Sequence, residues 1–160
     1  MLLRCPRERA IHSIMQRTLS QYPSVSDDKV RYADTDRQGH VNNALFATFL
    51  ETARVEIFYD PAHPLAERGA EFVIAHLDLD FLAEIRWPGS VAIGTAVRKI
   101  GNSSVTLEQA IFQDGHCVAR AEVIAVQIDT ATRKASPLKA FTREALEALR
   151  FSDTLSSGKT

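Results

Sequence analysis

The segment at residues 43–59 constrains the fold most, because its side chains leave almost no polar face. Apolar residues recur there at intervals of three and four, which predicts a helix. One face carries Phe46, Phe49, Leu50, Ala53 and Ile57, and the apolar residues at 45, 47, 55 and 58 extend it nearly all round. A helix this apolar must be buried on most sides. The rest of the chain therefore has to wrap around it.

The helix start is also marked in the sequence. Asn42 or Asn43 can cap it by accepting a hydrogen bond from a free backbone N–H. A second, shorter helix is predicted over residues 142–149.

After residue 70 the apolar period changes to two, which predicts strands. We expect them at residues 73–81, 91–100, 104–112 and 117–128. The dipeptides Gly101-Asn102 and Asp114-Gly115 are typical of the tight turns between them. In the first strand the odd-numbered residues from Val73 to Phe81 are predicted to share one face.

The fourth strand carries small residues at alternate positions, namely Cys117, Ala119, Ala121 and Ala125. A face of small side chains lets another element approach closely. We expect this face, and the face of the first strand that carries Ile74, to need cover. Both features predict a homo-oligomer, either a dimer or a dimer of dimers.

The chain divides into three parts. Residues 1–28 are predicted to be an N-terminal extension, with helical spacing at Ile11, Ile14, Met15 and Leu19 and a linker over residues 22–28. Residues 29–150 form one domain, and residues 151–160 form a flexible polar tail. The order of strand, buried helix and antiparallel meander indicates the α+β class, with a sheet of five to six strands wrapped around one central helix.

Composition excludes several classes of protein. A net charge of -1 argues against a nucleic-acid binder, and no apolar run approaches the roughly 20 residues of a membrane span. Residues 1–13 lack a continuous apolar stretch, so they predict no secretory signal. Cys5 and Cys117 form no CxxC motif, which favours free thiols and a cytoplasmic location. The five scattered histidines predict no metal site.

The segment that indicates chemistry is Asp34-Thr-Asp36-Arg-Gln-Gly39-His40-Val-Asn42-Asn43, followed in the helix by Phe49-Leu-Glu-Thr-Ala-Arg54. With these motifs, residues 29–135 resemble the hot-dog-fold acyl-CoA thioesterases of the 4-hydroxybenzoyl-CoA thioesterase type. The resemblance implies the hot-dog fold, hydrolysis of an acyl-CoA to free acid and coenzyme A, and no cofactor besides the coenzyme A of the substrate. It also points to a homodimer.

The resemblance implies a role for each residue of the segment. Asp36 would be the nucleophile or the general base on water, and the sequence does not choose between them. The backbone N–H of Asn43 would stabilise the oxyanion at the helix N-terminus. Gly39 would permit the tight turn of the loop, and His40 would order the loop or line the pocket.

Each of these residues also has a simpler interpretation. Asp34 or Asp36 could hydrogen-bond its own turn, and the two asparagines are ordinary caps. Glu51 and Arg54, three residues apart on the helix, could form a local ion pair. In another branch of hot-dog thioesterases a helix carboxylate is catalytic, so Glu51 is the alternative catalytic residue.

Coenzyme A needs cations for its phosphates. Arg98, Lys99, Ser103 and Ser104 cluster around one predicted strand end and turn, and in the resembling family a phosphate commonly lies near such a turn. A solvated, charged turn is the simpler interpretation.

Two other functions stay open at this stage. One is a non-catalytic acyl-CoA-binding module on the same scaffold. The other is a hot-dog hydratase or dehydratase, but that class carries an Asn-Pro-x-His-x-Asp string, and here Gly-His-Val-Asn-Asn stands without a proline.

Overall fold

The computed structural model describes residues 17–152. In chain order it contains strand β1 (Ser24–Val30), helix α1 (Ala44–Phe58), strands β2 (Ala70–Phe81), β3 (Gly89–Ile100), β4 (Ser104–Gln113) and β5 (His116–Asp129), and helix α2 (Ala140–Glu147). The strands form one antiparallel sheet in the order β1-β3-β4-β5-β2. Strands β1 and β2 are therefore its two edges.

Helix α1 lies across one face of this sheet, against β1, β3 and β4. Its residues Phe46, Leu50 and Ala53 are almost fully buried in a core shared with Ile93 and Leu107 of the sheet. The arrangement confirms the predicted α+β fold with a sheet around one central helix. The Asp114-Gly115 turn joins β4 to β5 with positive φ at both residues, as a type I′ turn requires.

The strand before the central helix begins earlier than the sequence predicts, since the strand-like pattern starts there only at Lys29. Residues 22–28 read as a linker, but β1 starts at Ser24 and pairs with β3 from Ser24 opposite Thr95 to Val30 opposite Gly89. The linker interpretation is therefore wrong. Polar and charged residues also suit an edge strand, where their side chains remain solvated and discourage pairing with another chain. Of the predicted N-terminal helix, Ile11, Ile14 and Met15 lie outside the described residues, and Leu19 begins a single 3-10 turn, Leu19–Gln21.

The predicted alternation along β2 is interrupted by a bulge. Ile74 lies opposite Ala125 and His76 lies opposite Ile124, so Ala75 is an extra residue. One extra residue moves every following side chain to the other face. Leu77 and Phe81 therefore face α1, whereas Val73 lies on the opposite face, and the predicted shared face is wrong.

A bulge also divides the small residues of β5. Phe112 pairs with Cys117 and Ile111 with Ala119, which leaves Val118 as the extra residue. Ala119, Ala121 and Ala125 pack in the core with α1, whereas Cys117 packs on the other face beside Phe112. The small-residue face of β5 therefore needs no second subunit to cover it, contrary to the prediction.

The face of the sheet opposite α1 is partly covered by the two ends of the described chain. The ring of Tyr22 packs against the ring of Phe151 at 5.3 Å between centroids. Phe151 was predicted to belong to a polar tail, but this contact places it against the domain. Residues 153–160 of that tail lie outside the described residues.

We expect Gly94→Ala to destabilise the protein, because Tyr22 lies directly over this glycine. A Cβ built on Gly94 would lie 2.4 Å from the Tyr22 Cγ atom, which is too close. The cost should be about 1–3 kcal/mol, as is typical of overpacking. Urea unfolding measures it. In a Tyr22→Ala background the same substitution should cost less than about 0.5 kcal/mol, and full additivity would contradict the account.

Candidate active site

A tight loop before α1 brings Asp36 next to His40. The Asp36 N–H donates to the His40 carbonyl at 2.9 Å, and the Gly39 N–H donates to the Asp36 carbonyl at 3.1 Å. Gly39 has a φ of 85°, in the left-handed region that favours glycine. The loop thus needs glycine where the sequence has it.

The loop leads directly into the N-terminus of α1. The Oδ1 atom of Asn42 accepts a hydrogen bond from the Ala44 N–H at 3.0 Å, so Asn42 is the capping side chain. Asn43 already has helical backbone angles. Among residues 17–152, no acceptor takes a hydrogen bond from its N–H. This donor remains free at the positive end of the helix.

The Asp36 carboxylate is about 29% exposed and has two neighbours in the loop. Its Oδ1 atom accepts from the Gln38 N–H at 2.8 Å, and its Oδ2 atom lies 3.8 Å from Nδ1 of His40. These contacts fix the carboxylate while leaving one oxygen open to a further partner. The turn contact expected of an aspartate and the catalytic role are therefore compatible.

Asp34 differs from Asp36 in being buried within the loop. Its Oδ2 atom accepts from the Arg31 N–H at 2.7 Å, and its carbonyl accepts from the Asn42 N–H at 2.9 Å. Asp34 thus shapes the loop that carries Asp36.

A cavity of about 210 Å³ opens beside this loop at the start of α1. It is lined by His40, Val41, Asn43, Phe46, Phe81, Leu82, Ala83 and Glu84. The rings of Phe46 and Phe81 meet edge to face, with centroids 5.0 Å apart. The cavity combines apolar walls with three polar residues, as small-molecule sites commonly do.

Glu84 is a cavity residue that the sequence did not reveal. Its Oε1 atom lies 3.5 Å from Nε2 of His40, and its Oε2 atom lies 2.8 Å from the Arg86 guanidinium. The Val41 N–H donates to the Ile85 carbonyl at 2.8 Å and joins the two loops. Glu84 belongs to no recognisable motif, so only this long-range contact places it beside His40.

The predicted local pair of Glu51 and Arg54 is not present among the described ion pairs. Glu51 is exposed, whereas Arg54 is buried and donates from Nη1 to Oε1 of Gln109 at 2.9 Å. Burial lowers the pKa of the Arg54 guanidinium from its ordinary value, which the nearby charge of Glu51 partly offsets. The predicted local ion pair is therefore only partly correct: the charge of Glu51 acts on Arg54, but the hydrogen bond of the buried guanidinium goes to Gln109.

The four residues predicted to bind coenzyme A lie around the β3–β4 turn. Arg98 pairs with Glu108 at 2.7 Å, and the Ser103 carbonyl accepts from the Gln127 N–H at 2.7 Å. The cavity lies at the other end of the sheet. Strand β4 alone separates the two ends by about 30 Å at 3.4 Å per residue. One copy of the chain therefore does not bring Lys99 and Ser104 together with Asp36.

Within residues 17–152, no helix is long and apolar enough to cross a membrane. In the same part of the chain, no three histidine, cysteine, aspartate or glutamate side chains group into an arrangement that could hold a metal ion.

Comparison with known proteins gives consistent matches. Residues 30–146 match the model of the Thioesterase-like superfamily. The chain is 30% identical over 125 residues to the long-chain acyl-CoA thioesterase FadM of Escherichia coli, covering 76% of this chain and 95% of that protein. It is 29% identical over 125 residues to the acyl-CoA thioester hydrolase YbgC of Escherichia coli, covering 75% and 90%.

Solved structures with the same fold include a thioesterase from Thermus thermophilus complexed with coenzyme A and zinc. The two chains superpose with a TM-score of 0.69 at 28% sequence identity. The match covers 81% of this chain and 95% of that chain.

Proposed function

Because the chain belongs to the Thioesterase-like superfamily, we propose that it is a thioester hydrolase that converts an acyl-CoA to free acid and coenzyme A. The observation that carries the proposal is the short loop that joins a partly exposed carboxylate, Asp36, to a free helix N-terminus. The Asp36 loop ends at the unpaired N–H of Asn43, and Asn43 and His40 line the cavity. A carboxylate and an oxyanion donor are the two groups that thioester hydrolysis needs.

In the proposed reaction the thioester carbonyl lies at the start of α1, with its oxygen toward the Asn43 N–H. If Asp36 is the general base, it takes a proton from water as the water oxygen attacks the carbonyl carbon. The oxyanion then collapses, the C–S bond breaks, and coenzyme A leaves as the thiolate. If Asp36 is the nucleophile, its oxygen attacks first, and water hydrolyses the resulting anhydride. Both routes need the same oxyanion donor.

No metal or redox cofactor takes part in this proposal, because water, one carboxylate and one N–H complete the reaction. We also propose a cytoplasmic location, from the sparse cysteine content alone.

A thiol-release assay on purified protein, with a panel of short, long, branched and aromatic acyl-CoAs, tests the activity. We expect release of free coenzyme A well above the rate without enzyme for at least one substrate. Binding without thiol release from any substrate would favour the non-catalytic acyl-CoA-binding module. Addition of water to an enoyl-CoA, with the thioester intact, would favour the hydratase.

We further propose that the active unit is a homodimer whose two-fold axis lies beside the edge strand β2. The apolar residues Ile74, Leu77 and Phe81 on the α1 side of β2 are 37–51% exposed. An exposed edge strand with an apolar row favours pairing with another chain. Antiparallel pairing of β2 with its own copy would bury this row.

This dimer would also bring one end of the sheet in one subunit close to the opposite end of the sheet in the partner. Antiparallel pairing sets the Phe81 end of β2, next to the cavity, beside the Ala70 end of β2 in the partner. Ala70 pairs with Asp129 of β5, close to where Ser104 pairs with Val126. The β3–β4 turn of the partner subunit would therefore approach the cavity. The coenzyme A phosphates would be bound across the subunit boundary by Arg98, Lys99, Ser103 and Ser104.

Lys99→Ala should then raise KM for acyl-CoA about two- to fivefold, because an exposed ion pair contributes about 1 kcal/mol or less. Turnover should change little, since remote binding acts alike on ground and transition states. The effect should shrink at high salt and vanish with an acyl-pantetheine that lacks the nucleotide. Lys29→Ala, on the far edge strand, is the control. An equal KM change with both substrates would mean that Lys99 acts through structure.

A further inference from the structure

A chain of buried polar side chains ties α1 to two strands of the sheet. Gln109 of β4 is fully buried, and its Nε2 atom donates to the Leu50 carbonyl of α1 at 3.1 Å. The same amide nitrogen donates to Oγ1 of Thr95 on β3 at 3.0 Å. Arg54 of α1 donates from Nη1 to Oε1 of Gln109 at 2.9 Å. Gln109 thus bonds α1 at two points, one turn apart.

These bonds differ in kind from the other buried contacts of α1, whereas the bond from Oγ1 of Thr52 to Oδ2 of Asp28 at 3.3 Å is only partly buried. The remaining buried residues of the helix are apolar, including Phe46, Phe49 and Leu50. Apolar burial is not directional, so it restrains the position of the helix along its axis less sharply than a hydrogen bond does. Hydrogen bonds weaken steeply with distance and angle, so they fix that position.

We propose that Gln109 and Arg54 are positioning residues that set α1 along its axis and so place the Asn43 N–H at the reacting carbonyl. The inference rests on the proposed function. Leu50 lies seven residues from Asn43, about 10 Å along the helix at 1.5 Å per residue. A helix moves as a rigid rod over this length, so an axial shift at Leu50 appears undiminished at Asn43. A misplacement of about 1 Å in an active site can cost on the order of 100-fold in rate.

The chemistry of Arg54 and Gln109 indicates that they fix the position of α1 more than they stabilise the fold. The Arg54 guanidinium is a buried cation whose hydrogen-bond acceptor is a neutral amide. Taking a charge out of water is costly, and well-packed apolar residues often replace buried charged groups without loss of stability. The arrangement is therefore explained better by the position that it fixes.

The test is the double variant Arg54→Met with Gln109→Met, which removes both side-chain bonds to α1 and leaves no unpaired buried charge. We expect kcat for acyl-CoA hydrolysis to fall about tenfold or more, with KM within about twofold of wild type. The control is Gln127→Met. Gln127 is equally buried, but its amide donates to the carbonyls of Ser136 and Pro137 in a loop.

Thermal unfolding of each variant distinguishes a change in the position of α1 from a loss of protein stability. Gln127→Met should lose stability and keep kcat within about twofold of wild type. Equal loss of kcat in the control and in the double variant would overturn the inference. So would wild-type kcat in the double variant.

Gln109→Glu provides a second variant if the double variant does not fold. It keeps the side-chain volume and an acceptor for Arg54, but it loses the donor to Leu50. We expect the same selective loss of kcat, and unchanged kcat would overturn the inference. Asp36→Asn in the same assay keeps the two proposals apart. If Asp36→Asn abolishes turnover while Gln109→Glu does not, the inference fails and the proposed function stands. No turnover by the wild type overturns both.

Discussion

Replacing Asp36 by Asn is expected to lower kcat for acyl-CoA hydrolysis at least about 100-fold. A positioned general base contributes about 10²–10⁴-fold, and loss of a nucleophile costs more. The fold should be retained, because Asn keeps an oxygen that can accept from the Gln38 N–H, as Asp36 does at 2.8 Å. Steady-state thiol release measures turnover, and circular dichroism checks the fold.

Asp34→Asn is the matched control for this prediction. Asp34 is buried and binds the loop backbone, so its replacement should cost stability and lower kcat less than the replacement of Asp36. Near wild-type turnover in Asp36→Ala would contradict the assignment. The helix carboxylate Glu51 and the cavity carboxylate Glu84 would then become the candidates.

A charge in the apolar row of β2 is expected to break the proposed dimer and lower activity. Leu77 is 37% exposed on this edge strand. In a two-fold dimer, Leu77→Arg would bring two like charges together, at a cost of several kcal/mol. We expect a monomer at micromolar concentration, with kcat/KM reduced more than about tenfold because the proposed site lies at the subunit boundary. Sedimentation velocity and thiol release measure the two effects.

Val25→Arg is the control for this experiment. Val25 is 46% exposed on β1, the opposite edge strand, so it tests a charge of the same kind away from the proposed interface. It should leave the dimer and its activity intact. A stable and active wild-type monomer at micromolar concentration would refute the proposed dimer.

Much of the fold follows from local patterns. The apolar stretch at residues 43–59 predicts α1 to within one residue at each end. Because a helix that is apolar on most sides must be buried, the same stretch limits the folds that the chain can adopt. The Asp114-Gly115 turn was visible because two successive positive φ values require such residues. Helix α2 was placed two residues late, an error that is common at helix ends.

The bulges were not predictable from alternation. An extra residue at Ala75 or Val118 has ordinary β-forming neighbours, and only its pairing with the next strand reveals it. The faces assigned to β2 and β5 were therefore partly wrong, although the strands themselves were placed correctly.

The candidate site shows the same division between local and long-range information. The loop from Asp36 to Asn43 could be predicted because its residues are close in sequence and form one motif. Glu84 could not, since its position beside His40 depends on the hydrogen bond between Val41 and Ile85. The burial of Arg54 could not be predicted for a similar reason, because its hydrogen-bond partner Gln109 lies 55 residues away.

The most direct test of the central claim is a crystal structure with a non-hydrolysable acyl-CoA analogue in which a methylene separates carbonyl and sulfur. We predict that the carbonyl oxygen of the analogue lies within about 3 Å of the Asn43 backbone nitrogen. The Asp36 carboxylate should contact the carbonyl carbon directly or hold one water molecule against it. The acyl group should lie in the cavity that Phe46 and Phe81 line. A carbonyl bound away from the start of α1, with Asp36 out of reach, would contradict the account.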